Sequence, residues 1–319
     1  MNLGDLIGKS AAQLGLRFAL VGVLPTTLLV LLILCLLWAG APAEAPKLAT
    51  AVDKVRQLDV AAGVILITAI LRLAVILQPF QLVLVRLLEG YWGASRLASA
   101  IGRAFVHRQR RKRDRLQSDL DELLKVAGNQ TSPENRQELV AEATRLSDRI
   151  FRFYPKDRFL PTALGNVLRA AEENVGAPYG IDVITVWPCL YAILSERTAA
   201  LVDDQRNQLD LATRLCVTFI LATVISTGML YRYPGWLTVP LVTLVLGGLS
   251  YQGALASALA YGEGIRAAVD LHRFDLLRAL HLPLPPDRES EKRVNGQLCD
   301  FLRQGVPINF HCNHPAKEE

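Results

Sequence analysis

The chain has 319 residues, a formal net charge of +5, 51% hydrophobic residues and 20% charged residues. Its mean hydropathy of +0.26 is high for a chain with this much charge, so the apolar residues must be concentrated in blocks. This composition excludes a disordered or collagen-like chain and disfavours an ordinary soluble enzyme. The five cysteines are odd in number and widely spaced, which argues against a disulfide framework or a zinc ribbon.

The first apolar block runs from Phe18 to Trp38 and contains no charged residue. A helix of this length would be about 30 Å long, which matches the hydrocarbon core of a bilayer. A signal peptide is the alternative, because Ala41-Pro42-Ala43 resembles a cleavage site. Signal-peptide cores are usually about 7–15 residues long, so the length of this block favours a membrane anchor.

The second apolar block starts at Val60 and is interrupted by Arg72 and by Gln78-Pro79. A single tilted helix over about 60–85 is long enough to cross a bilayer, with a kink at Pro79.

Two further apolar blocks, Leu215–Tyr231 and Trp236–Ala260, are separated only by Arg232–Gly235. The Pro-Gly pair in this short link predicts an antiparallel helical hairpin. Tyr231, Tyr233 and Trp236 surround the link, as is typical of aromatic residues at a membrane interface.

Charge asymmetry predicts the orientation of these spans. Nine basic and two acidic residues lie between Val85 and Leu116, whereas the loop from Ala39 to Asp59 has three of each sign. By the positive-inside rule, the segment after the second span is cytoplasmic. An even number of spans then places both termini in the cytoplasm, and we expect a multi-pass protein of the bacterial inner membrane.

The predicted fold is an all-α integral membrane protein with four transmembrane helices in two hairpins and a helical cytosolic domain. Uninterrupted helices are expected to continue from the second span into the insert, and from about residue 190 into the third span. Residues 180–187 are rich in β-branched side chains and predict a short extended stretch. The expected divisions are 1–89 (spans 18–38 and 60–85), the insert 90–210, 211–261 (spans 215–231 and 236–260), and the C-terminal helices and tail 262–319.

Three charged residues are candidates for an ion path. A charge such as that of Arg72 within a span is costly in lipid, so it usually faces a cavity, a partner or a pore, unless it snorkels to the interface or forms a structural ion pair. Asp203 and Asp210 are seven residues apart and share a face of the helix that leads into the third span. In a symmetric oligomer they would form acidic rings that favour cations. The alternative is a solvated face on which Asp210 pairs with Arg214.

The densest basic run is a candidate site for anionic lipid headgroups, since each basic residue near a membrane surface adds about 1 kcal/mol. Its role as a topology signal alone is the alternative. Nucleic acid is not expected, because no stacking aromatic residue is interleaved with the run. The basic residues of the run are Arg108, Arg110, Arg111, Lys112, Arg113 and Arg115.

Small residues line one face of the fourth span, which predicts close packing against another helix, either in the same chain or in a second subunit. They are Gly253, Ala256, Ala260 and Gly264.

Metal and catalytic chemistry find little support in the sequence. The segment His311–His314 has ligand-type side chains, but its spacing matches no recurring zinc pattern, so we expect no metal site. Asp270, His272, Arg273 and Asp275 form a charged cluster that we interpret as ion pairing. No nucleotide-binding, nucleophile or zinc-protease motif is present. We therefore expect neither enzymatic activity nor a cofactor, and a membrane enzyme with unfamiliar motifs is the remaining alternative.

The order of two spans, a helical insert, two more spans and a tail is similar to that of bestrophin-type pentameric anion channels, in topology and not in any sequence motif. Such a layout implies a homo-oligomeric channel gated through its cytosolic domain, with anionic lipids and further copies of the chain as partners. The alternative is a membrane-anchored scaffold or signalling component that recruits a cytosolic protein. Fold-level likeness does not by itself establish function.

Overall fold

A computed structural model describes residues 18–77, 80–93 and 95–306. Helices make up 83% of the structure, and the described residues contain no strand. A π-helical segment, Phe18–Val23, leads into the first α-helix. The α-helices are α1 Leu24–Trp38, α2 Leu48–Arg56, α3 Val60–Leu77, α4 Phe80–Glu89, α5 Arg96–Asn129, α6 Pro133–Phe153, α7 Ala163–Gly176, α8 Val183–Ile193, α9 Glu196–Leu230, α10 Thr238–Ala279 and α11 Arg288–Gln304.

Three helical segments of the described chain are long and apolar enough to cross a membrane: Val21–Trp38, Glu196–Leu230 and Pro234–Ala279. They indicate a membrane protein with transmembrane helices. The predicted span over 60–85 corresponds to α3 and α4. Within it, Val60–Leu73 is apolar but shorter than the three segments that are long enough to cross a membrane. The predicted kink at Pro79 lies outside the described residues.

The chain divides into two compact units. Unit one contains the residues up to Leu87 together with Asn207–Ser257, and unit two contains Leu88–Arg206 together with the residues from Ala258 onward. Helices α9 and α10 contribute residues to both units.

In unit one, α1 and α9 run in the same direction. Val21, just before α1, accepts a hydrogen bond from Arg214, near the middle of α9. Leu36 and Leu230, near the C-terminal ends of these helices, belong to one buried cluster. Because early residues meet early residues and late ones meet late ones, the two helices are parallel.

Helices α9 and α10 pack in opposite directions within unit one. The hydroxyls of Thr223 and Thr243 are 2.9 Å apart, so residues near the end of α9 meet residues near the start of α10. A Cβ atom at Gly247 would lie 3.5 Å from the Cβ atom of Phe219, which shows that the absence of a side chain lets the helices approach closely.

The core of unit two is built around α8, where the extended stretch expected at 180–187 is wrong. Val183, Val186 and Leu190 recur at helical spacing and are 3%, 1% and 1% exposed. They pack in a cluster that includes Val269 of α10 and Leu298 of α11. Burial on one face of a helix thus outweighs the β propensity of the branched side chains.

The two expected continuous helices are also interrupted. Gly90 adopts a φ of +100° after α4, and the Ser95 side chain accepts a hydrogen bond from Ala98 N–H to cap α5, so α5 does not continue from α4. Helix α8 ends at Ile193, and Ser195 accepts a hydrogen bond from Thr198 N–H at the start of α9. The helix α9 therefore begins at Glu196 rather than near residue 190.

Candidate functional site

Arg72 lies on α3 with an exposed side chain, and its neighbours Leu71 and Leu73 are also exposed. No carboxylate among the residues that the structure describes forms an ion pair with its guanidinium. Within this chain the structural ion pair considered for Arg72 therefore finds no support in the described residues.

The two aspartates of the proposed acidic rings lie in different surroundings. Asp203 accepts a 2.8 Å hydrogen bond from the Tyr191 hydroxyl in unit two. Asp210 is half-buried in unit one, one helical turn before Arg214. Their seven-residue spacing keeps both side chains on one face of α9. That this face lines an ion path stays a prediction.

Arg214 makes an interaction that the sequence did not reveal. Its Nη1 atom donates a 2.8 Å hydrogen bond to the carbonyl oxygen of Val21. Pro25 has no N–H, so the Val21 carbonyl lacks the donor that an α-helix would supply four residues later. The Arg214 side chain therefore supplies a donor to a carbonyl at the point where the π-helical segment passes into α1.

Asn207 and Arg214, on the same face of α9, each have a hydrogen-bond donor that no described acceptor uses. Asn207 Nδ2 and Arg214 Nε are buried atoms with no hydrogen-bond acceptor among the described residues. Buried donors of this kind usually bind water or a ligand when no protein acceptor is present. Asn207, Asp210 and Arg214 thus form a polar track along the first part of α9 within unit one.

The structure divides the basic run of α5 into two groups. Arg110 stacks over the Phe159 ring at 5.5 Å, and Arg113 pairs with Asp114 at 3.3 Å. The other members flank a solvent-open recess of about 510 Å³ on one face of α5, and they are exposed. This basic face consists of His107, Arg108, Arg111, Lys112 and Arg115.

The predicted small-residue stripe is divided between the two units. Gly253 and Ala256 are exposed in unit one, although Gly253 lies against Ala212. In unit two Ala260 is half-buried and Gly264 is buried against Gln205. The fully buried small residues of α10 are instead Ala254, Ala258 and Ala268.

The charged cluster of Asp270, His272, Arg273 and Asp275 on α10 forms polar contacts and an ion pair inside unit two. His272 Nδ1 lies 3.1 Å from Asp275, and its Nε2 lies 3.4 Å from the Thr198 hydroxyl. Tyr179 donates a 2.8 Å hydrogen bond to Asp270, and this bond, together with burial, raises the pKa of the Tyr179 phenol.

Arg273 of the same cluster lies between two aromatic rings. It bonds Glu291 at 2.9 Å, and its guanidinium is 4.4 Å from the ring centres of both Tyr179 and Phe274. With the His272–Asp275 and Tyr179–Asp270 contacts, it ties α10 to α11 and to the segment before α8.

A second recess lies between α5 and α6 in unit two. It is an open groove of about 450 Å³. Leu124 and Val140 remain 51% and 45% exposed there, and Ala143 and Phe151 line its wall.

Within the described part of the chain, no group of three or more histidine, cysteine or acidic side chains is arranged so that it could hold a metal ion. The segment His311–His314 lies outside the described residues. No protein-family model, curated protein or solved structure matches this chain.

Proposed function

We propose that this protein is a homo-oligomeric membrane channel of the bacterial inner membrane, with four spans per chain and both termini in the cytoplasm. Unit two is then a cytosolic domain whose movement gates the pore through α9 and α10, the two helices that both units share. The proposal starts from the three apolar helices and adds a fourth crossing, an ion path and an oligomer.

The parallel arrangement of α1 and α9 supports the fourth crossing. If two helices cross a membrane in the same direction, the chain must cross back between them. Helix α3 is the apolar candidate, since its 18 residues extend about 27 Å and it packs against α1 and the π-helical segment.

The observation that carries the channel is Arg72. On an apolar helix in lipid, an exposed guanidinium that has no ion-pair partner among the described residues costs about 2.5–3.5 kcal/mol or more. A water-filled path or a neighbouring subunit removes this cost. The polar track of Asn207, Asp210 and Arg214 is a second candidate for the lining of an ion path. Asp203 lies one helical turn before Asn207 on α9.

Oligomer formation draws support from the exposed small residues Gly253 and Ala256. Their lack of bulk lets a helix of another subunit approach closely. The mass of the purified protein in detergent or native lipid discs tests this point. A monomer under every condition would contradict the proposal.

Electrical recording in planar bilayers tests conduction. We expect wild-type protein to conduct, Arg72→Glu to shift the reversal potential in a KCl gradient, and Arg72→Lys to retain the original sign of selectivity. Lys54→Glu is the matched control, because it reverses an exposed charge of α2 outside the apolar helices. Absence of current in several lipid compositions, or an unchanged reversal potential in Arg72→Glu, would contradict a pore lined by Arg72.

The groove between α5 and α6 favours a second candidate function, a scaffold that recruits a cytosolic protein. Exposed Leu124 and Val140 could hold an apolar segment of such a partner. Photo-crosslinking from position 140 in cells tests this function. A defined heteromeric adduct together with absence of current would favour the scaffold over the channel.

A further inference from the structure

We propose that the basic face of α5 binds the anionic phospholipid headgroups of a bilayer surface. The face consists of His107, Arg108, Arg111, Lys112 and Arg115, which surround one solvent-open recess. This inference requires a membrane protein but does not require a channel, so the two can fail separately.

The charges of the basic face are available to a ligand. Arg110 and Arg113, the other cations of the run, are engaged by Phe159 and Asp114. Among the residues that the structure describes, none forms an ion pair with the four arginine and lysine side chains of the face. Four cations on about two turns of helix without a protein counter-ion favour an anionic partner.

Apolar side chains at the start of α5 indicate that this partner is a membrane. Ile101 and Phe105 are 51% and 42% exposed and precede Arg108 by seven and three residues on the same stripe of the helix. Trp92 packs edge-on against Phe105, with ring centres 5.5 Å apart, and Tyr91 beside it is exposed. Exposed aromatic residues next to basic ones are typical of a membrane interface.

Distances along α5 are compatible with simultaneous engagement of the whole face. Phe105 and Arg115 are ten residues apart, or about 15 Å along the helix axis. A headgroup layer is about 5–8 Å thick, and the Debye length adds about 8 Å at physiological salt. If Phe105 contacts the acyl boundary, Arg115 therefore still lies within the field of the anionic surface.

A nucleic acid fits the face less well. Single strands bind where aromatic side chains alternate with basic ones, and no aromatic residue occurs between His107 and Arg115. Phe105, two residues before His107 in the sequence, packs its ring edge-on against Trp92.

The test compares full-length protein variants in detergent by native mass spectrometry, with added phosphatidylglycerol or phosphatidylcholine. The test variant carries Arg108→Gln, Arg111→Gln, Lys112→Gln and Arg115→Gln. The control variant carries Lys125→Gln, Arg136→Gln, Arg145→Gln and Arg149→Gln, four exposed cations on α5 and α6 outside the basic face. Glutamine is an unbranched polar residue with a helix propensity close to that of arginine and lysine, so both variants lose the same charge with little effect on folding.

We expect wild type and the control variant to retain phosphatidylglycerol over phosphatidylcholine, and the test variant to bind phosphatidylglycerol roughly ten- to a hundredfold more weakly. Equal retention of both lipids by wild type, or undiminished binding by the test variant, would overturn the proposal. Glycerol phosphate is the soluble competitor. If it displaces the lipid at similar concentration, the face recognises a free phosphate and the bilayer version is wrong. If the basic face instead binds a nucleic acid or an acidic protein, neither the test variant nor the control variant will retain phosphatidylglycerol over phosphatidylcholine.

Discussion

The guanidinium of Arg214 hydrogen-bonds the carbonyl oxygen of Val21 across 2.8 Å, although 193 positions separate the two residues in sequence. Pro25 removes the N–H that an α-helix would direct at this carbonyl. A proline in one apolar helix is thereby complemented by an arginine in another. The pair connects the beginning of α1 to α9 and fixes the parallel register of the two helices.

This relationship predicts a specific coupling between Arg214 and Pro25. Arg214→Met should lower the free energy of unfolding by about 1.5–3 kcal/mol, because a charged hydrogen bond is lost and the half-buried Val21 carbonyl loses its arginine donor. Pro25→Ala supplies a new N–H, so the same Arg214 substitution should cost less in that background. A double-mutant cycle measured by unfolding in detergent gives the coupling energy. Strictly additive effects would contradict the proposed complementation.

The second prediction concerns topology. In a cysteine-free background, Glu44→Cys should react with a membrane-impermeant maleimide in intact cells, and Ser118→Cys should react only after permeabilisation. Both side chains are exposed, so burial does not protect either position. Labelling of position 118 from outside would reverse the whole assignment of sides.

The third prediction concerns the buried ion pair of Arg273 and Glu291. Arg273→Met leaves a carboxylate only 9% exposed without its cation, which should cost about 3–5 kcal/mol. A second substitution, Glu291→Gln, should restore part of the stability, but not the stacking of the guanidinium on Tyr179 and Phe274.

Arg278→Met is the matched control for this prediction. Arg278 and Asp275 form an ion pair whose side chains are 65% and 44% exposed, so its loss should cost less than about 1 kcal/mol. Thermal unfolding of the wild type and the three variants distinguishes the two cases. Equal destabilisation by Arg273→Met and Arg278→Met would show that burial of Glu291 is not the cause.

The fourth prediction is a local pH dependence at the start of α11. Asp287 accepts a hydrogen bond from Ser290 N–H, and this bond holds the pKa of the Asp287 carboxyl below its usual value. Because the folded pKa is the lower one, the cap stabilises the helix above the unfolded pKa, about 4, and this contribution is lost as pH falls through the folded value.

Hydrogen exchange of α11, corrected for intrinsic rates, measures this effect between pH 3 and 7. Wild type should open more readily at acidic pH. Asp287→Asn should show little pH dependence, because asparagine caps helices without titrating in this range. Asp287→Ala should open more readily at every pH, and an unchanged profile in Asp287→Asn would contradict the assignment.

Local sequence signals predicted much of the helical pattern. Pro133 is the first residue of α6 and Asp287 is the N-cap of α11, and both are residue types that favour these positions at a helix start. Charge-free blocks predicted the three apolar helices, because a long run without charge has few structural alternatives.

The sequence predicted the wrong secondary structure where tertiary contacts and side-chain caps determine it. The branched residues of 180–187 favour a strand locally, yet Val183 and Val186 face the core of unit two at helical spacing. Ser195 interrupts the expected long helix through a side-chain cap that no periodicity reveals. The pairing of Asp210 with Arg214 stays a prediction, whereas a single sequence contains no signal for the hydrogen bond of Arg214 to the distant carbonyl of Val21.

The parallel pairing of α1 and α9 also constrains how the chain is made. Arg214 is synthesised 193 residues after Val21, which at typical translation rates corresponds to roughly 10–40 s. Throughout that interval the Val21 carbonyl lacks its arginine donor, because the residue that supplies it has not yet left the ribosome. If α1 and α9 both cross a membrane, the N-terminal end of α1 must therefore stay within reach of water, headgroups or the insertion machinery until α9 has been synthesised.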